Sequence, residues 1–219
     1  MNVTTINRIG SEAIYANIPS ANIIRSLATS GDCIDRFYLT GFEGLCLSMN
    51  HAQLTEAVIS SVVPMGGELL VVGSEDCCSL WRNVCHSLNI RVSAVDTAKE
   101  DVVTAVATIL SVNPRISHVM TSTHLDSNVL CQLGATIRSY HKQLVVDNSD
   151  DELTVEAITE AGIDFAIAAS ETEDNVSVII ARRSRLVMTE GNARRSSHDI
   201  YALWQSSLSS RNSTWLPMA

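Results

Sequence analysis

From about residue 37 onward the chain alternates short apolar runs with amphipathic stretches, and this alternation constrains the fold more than any other feature. Leu69-Leu70-Val71-Val72, stopped by Gly73, is apolar at every position, as a strand covered on both faces must be. The stretch 52–63 instead carries Leu54, Val58, Ile59 and Val62 at helical spacing and ends at Pro64. The same logic predicts helices over 80–88, 101–112, 129–141 and 152–161, the last capped by Gly162. It predicts strands over 37–39, 91–95, 117–121, 144–146 and 165–169. A further strand over 176–181 follows too soon for a parallel crossover, so that pair should be antiparallel. A final helix is expected over 198–208. Helical pieces are expected around Ile6, Ile9, Ile14, Ile23, Ile24 and Leu27, broken at Pro19 and Gly31. The expected organisation is an N-terminal helical segment over 1–36 and one large domain over 37–219, a three-layer α/β/α unit on a mostly parallel mixed sheet.

Bulk properties narrow the function classes. A chain of 219 residues that is 46% hydrophobic can bury a large core, and only 18% charged residues leaves room for an oligomer interface. A net charge of −9 argues against a nucleic-acid partner, and Arg194 and Arg195 are too isolated to form a basic patch. The first residues show no signal peptide, and no apolar run approaches the roughly 18 residues of a membrane span. Cys33, Cys46, Cys77, Cys78, Cys85 and Cys131 form no CxxC pair, so reduced thiols in a cytoplasmic protein are expected, with no zinc site or disulfide framework. The adjacent Cys77 and Cys78 read as a loop-to-helix junction.

In open α/β sheets ligands gather at the carboxyl ends of the strands. That directs attention to Gly73-Ser74, residues 122–126, Asp147-Asn148 and residues 170–175. A carboxylate at Asp147 can hold a proton on a ligand nitrogen, or it can be an ordinary loop or helix-capping aspartate. His124 and Asp126 follow another strand end, where such pairs are more often solvated than catalytic. No phosphate-binding loop, dinucleotide fingerprint or hydrolase triad order is present.

Gly191-Asn192-Ala193-Arg194-Arg195-Ser196-Ser197-His198-Asp199-Ile200-Tyr201-Ala202-Leu203-Trp204 resembles the GNARSLSLDLYxQW stretch of the 2-aminoethylphosphonate–pyruvate transaminases. Residues 56–64, 113–118, 144–147 and 162–165 resemble further segments of that family in the same order. The resemblance spans roughly 37–217 and implies the large domain of a fold-type-I, class V aminotransferase dependent on pyridoxal phosphate. The family's small C-terminal domain has no counterpart in this sequence.

Such chemistry needs a lysine to hold the coenzyme as an imine and shuttle its proton. The resemblance puts Thr172 at that lysine's position, and a hydroxyl cannot form an imine. The whole chain has only Lys99, opening a helix, and Lys142, at the start of a strand on the opposite edge of the sheet. The family's glycine-rich phosphate turn is matched by Ser48-Met49-Asn50-His51-Ala52, without its glycines. Asn50 and His51 could still donate hydrogen bonds to an anion, and Asp147 matches the residue that pairs with the pyridine nitrogen. The loops at 123–125 and after Thr172 are short relative to the family. The resemblance therefore implies a non-catalytic homologue acting as a homodimer or with a related aminotransferase. The alternatives are a transaminase, or a pyridoxal-phosphate or phosphonate binder, with residual activity, and a split-gene fragment.

Overall fold

Ten strands, among the described residues, join into one mixed sheet flanked by helices. The structure, a computed structural model, describes residues 8–9, 12–14, 34–39, 42–98, 101–122, 124–148, 155–169 and 176–212. The strands are β1 (Arg8–Ile9), β2 (Glu12–Ile14), β3 (Ile34–Leu39), β4 (Phe42–Ser48) and β5 (Glu68–Gly73). They continue as β6 (Arg91–Asp96), β7 (Ile116–Ser122), β8 (Gln143–Asp147), β9 (Phe165–Ala169) and β10 (Val176–Arg182). The helices are α1 (His51–Val62), α2 (Glu75–Ser87), α3 (Val102–Val112), α4 (Ser127–Ser139), α5 (Val155–Glu160), α6 (Arg183–Val187) and α7 (Ile200–Asn212).

The sheet order is β1-β2-β3-β4-β10-β9-β8-β7-β5-β6. Strands β6, β5, β7, β8 and β9 run parallel, joined by helical crossovers, while β10 is antiparallel to β9 and to β4. Two reversals leave β4 running in the direction of β9, so its last residue, Ser48, lies at the same sheet edge as Asp147 and Ala169. That geometry delivers the start of α1 to the carboxyl edge.

Successive side chains of a strand face opposite ways. Leu70, Val72, Val119 and Val146 pack with Val106, Leu133 and Ile137 of α3 and α4 on one face. Leu69, Val71, Met120 and Val145 pack with Leu54, Val58, Trp81 and Trp204 of α1, α2 and α7 on the other. Both faces are covered, which is why these strands read as unbroken apolar runs. The three-layer α/β/α expectation holds, and so does the antiparallel final pair.

Several expectations need correction. Ile9 and Ile14 lie in strands rather than helices, with β1 antiparallel to β2 and β2 parallel to β3 through Ala13↔Phe37 and Ile14↔Tyr38. Segments this short take the conformation that satisfies an open strand edge, and a few spaced isoleucines suit either period. Ile6, Ile23, Ile24 and Leu27 lie outside the described residues. The strand expected over 37–39 begins at Ile34, and β4 was not expected at all. Glu43 hides it: this buried carboxylate interrupts the apolar run, yet Trp204 Nε1 donates to it at 3.4 Å and Arg183 Nε lies 3.6 Å away. Cys77 and Cys78 sit within α2, which starts at Glu75 rather than at residue 80, so they are no loop-to-helix junction. Two acidic residues, Glu75 and Asp76, open that helix where its dipole favours negative charge. The short α6 was also unexpected, and the last helix runs from Ile200 after a 3-10 turn over Ser196–His198.

Candidate active-site edge

Asp147 is the last residue of β8, flanked in register by Ser122 of β7 and Ile167 of β9. Its side chain is only 7% exposed, so its carboxylate needs donors from the protein. One comes from far away in sequence. His51, the first residue of α1, places Nε2 2.6 Å from Asp147 Oδ2. The contact is a hydrogen bond with a neutral ring and an ion pair with a protonated one. His51 itself is 38% exposed, so one edge of its ring faces solvent.

Asn50 does a different job from the one expected of it. It is the N-cap of α1, with Oδ1 accepting from Gln53 N at 2.9 Å while its own backbone N–H donates to Gln53 Oε1 at 3.0 Å. This reciprocal capping box uses up, inside the chain, two amides of the kind a helix start offers to an anion. Ser177 Oγ donates to the Met49 carbonyl and pins the turn to β10. An Asn-x-x-Gln spacing ahead of an apolar helix was the signal for the cap.

Of the other candidates, Asp126 is the N-cap of α4, its Oδ1 accepting from Asn128 N at 2.8 Å. His124 is exposed. Lys142 lies at the opposite edge, where Nζ donates to the Pro114 carbonyl at 2.9 Å. Five residue steps along the strand separate it from Asp147, about 16 Å at the usual rise. It lines a cavity of about 330 Å³ there with Ser117, His118, Gln143 and Arg185. Thr172 and Lys99 lie outside the described residues. Among the described residues no group of His, Cys, Asp and Glu could hold a metal ion, and no helix is long and apolar enough to cross a membrane. Cys46, Cys77, Cys78, Cys85 and Cys131 are not joined in disulfides.

The strongest motif of the sequence turns out to be a clasp. Arg194 Nη1 donates to the Val63 and Ser60 carbonyls at 2.6 and 3.2 Å, and Nη2 donates to the Pro64 carbonyl at 3.2 Å. Its backbone N–H donates to Ser60 Oγ at 2.9 Å. Ser61 Oγ accepts from Ile200 N and donates to the His198 carbonyl, while Asp199 Oδ1 accepts from Tyr201 N at the start of α7. Burial lowers the pKa of the Arg194 guanidinium, which is offset by three carbonyls at the negative end of α1. Residues 56–64 and 191–204, two of the segments that carry the resemblance, therefore hold each other.

No family model matches the chain. The 2-aminoethylphosphonate–pyruvate transaminase of Burkholderia thailandensis is 31% identical over 231 aligned positions, covering 96% of this chain and 61% of that protein. The bifunctional phosphonoacetaldehyde hydrolase/aminoethylphosphonate transaminase of Clostridioides difficile is 26% identical over 174, covering 73% of this chain and 27% of that protein. The chain spans about half the length of the curated relatives it matches. In fold it matches pyridoxamine–pyruvate aminotransferase from Mesorhizobium loti with a TM-score of 0.56 at 12% identity, over 97% of this chain and 61% of that one. In sequence the chain is similar to the 2-aminoethylphosphonate–pyruvate transaminases, and in fold to the aminotransferases.

The coenzyme of these aminotransferases, pyridoxal phosphate, does not fit the residues as arranged. The Asn50–Gln53 box engages two of the helix-start amides that would face its phosphate, and the carboxylate that would hold its ring nitrogen is engaged by His51. The one described amine is at the wrong edge of the sheet.

Proposed function

We propose that this chain is a non-catalytic member of the aminotransferase family that works by association, as a homodimer or with a related aminotransferase. One observation carries the reading. Lys142, one of the two lysines in the chain, is spent on a backbone carbonyl at the edge of the sheet opposite Asp147. The resemblance gives Thr172 the position of the imine-forming lysine, and imine chemistry has no substitute for an amine. What remains intact is the framework: both core layers and the clasp between α1 and the 191–204 segment. A cytoplasmic location belongs to the same reading, supported by the scattered cysteines, of which the described ones form no disulfide.

The test is covalent capture. Purified protein is incubated with pyridoxal phosphate, treated with borohydride and digested for mass spectrometry. The expected result is no phosphopyridoxyl peptide above that of surface lysines in a control protein. Stoichiometric labelling of Lys99 or Lys142, with an imine absorbance band before reduction, would overturn the proposal in favour of an active or coenzyme-binding transaminase.

A further inference from the structure

We infer that His51 stands in for the coenzyme ring, so that the ligand site of this family member is filled from within its own chain. The inference rests on reading the chain as a non-catalytic homologue, and it goes on to say what occupies the site instead. The His51 side chain starts at the first residue of α1 and ends 2.6 Å from Asp147 Oδ2. A single side chain thus bridges the gap between a helix N-terminus and a buried carboxylate. A ligand with a phosphate at that helix start and a ring nitrogen on Asp147 must lay its ring across the same gap. The two cannot be there together.

The chemistry matches as well as the position. A planar aromatic ring offers a ring N–H to the Asp147 carboxylate, which is what a pyridinium would do. Asp147 is 7% exposed, and a carboxylate so enclosed is destabilising when a donor is removed, so the imidazole has a structural reason to stay. At the other end of the gap the capping box takes two of the helix-start amides, Gln53 N and Asn50 N, at 2.9 and 3.0 Å. His51 is 38% exposed at its outer edge, so the ring can be displaced and the competition measured.

The probe is 4′-deoxypyridoxine 5′-phosphate, which has the ring nitrogen and the phosphate but no aldehyde and so cannot form an imine. It is titrated by fluorescence against the wild type, His51→Gly and the double variant His51→Gly with Asp147→Asn. His51→Gly is expected to bind at least about ten-fold more tightly than wild type, a change of about 1.4 kcal/mol, and the double variant to lose that gain. His51→Ser serves in the same role where glycine at the helix start impairs folding. Equal affinity of wild type and the His51 variants overturns the inference, as does tight binding by the wild type. The two readings fail separately: a borohydride-fixed lysine adduct counts against the non-catalytic proposal, and the affinity of the aldehyde-free analogue decides the His51 inference.

Discussion

His118 shows how strongly one enclosed residue can couple this fold to pH. It sits in β7, 3% exposed, with Nδ1 2.9 Å from Ser117 Oγ. Burial pushes its pKa from 6.5 down to about 4, against a hydrogen bond with Gln143, and the nearby charges of Arg185 and Lys142 push the same way as burial. The neutral ring is therefore the form the native state prefers. Its contribution is fully present above pH 6.5 and is lost as pH falls from 6.5 toward 4, because the unfolded chain binds the proton first. Between pH 7.5 and pH 5 the loss is about 2 kcal/mol. Urea midpoints measured at both pH values should show it, and the pH dependence should be weaker by that amount in His118→Gln. Equal pH dependence in the two proteins would refute the coupling. Residues differ in how legible they are. Asp147 stood out because a strand end before a loop is a local pattern. His51 was legible as a candidate donor, but its pairing with Asp147 was not, since a contact across 96 positions leaves no local trace.

At the scale of elements, the start of α1 is the informative case. Asn50 was expected to offer its side chain to an anion, yet its oxygen serves the helix and its backbone N–H serves Gln53. Replacing it tests that assignment. Asn50→Ala should cost about 1 kcal/mol in a urea titration, while Asn50→Ser, which keeps a capping oxygen, should stay within a few tenths. An alanine variant as stable as wild type would mean the box contributes nothing. Parallel strands such as β5 were plain in the sequence because a strand covered twice leaves a continuous apolar run. Strand β4 was missed because Glu43 breaks its run, and nothing local announces that Trp204 Nε1, 161 positions on, will donate to that carboxylate. The N-terminal strands were missed for a related reason: strands of two and three residues owe their form to the edge they pair with.

For the whole molecule, the question is what a retained framework is for once the coenzyme's anchors are engaged internally. The α/β/α layering was legible because it is written in periodicity, and the clasp of Arg194 on α1 explains why the 191–204 motif keeps its family spelling without any role at the ligand edge. A segment that caps one helix and starts another is held by folding, whatever happens to catalysis. The proposed association fits a chain with 18% charged residues and with Met65, Val187 and Met188 exposed by 77%, 44% and 58%. Light scattering on purified protein at tens of micromolar should therefore give about twice the 23.7 kDa of one chain, or one chain plus a related aminotransferase when the two are expressed together. A single-chain mass in both preparations would remove association from the proposed function while leaving the coenzyme arguments at His51 and Lys142 untouched. The two measurements thus separate what the fold has lost from what it is kept to do.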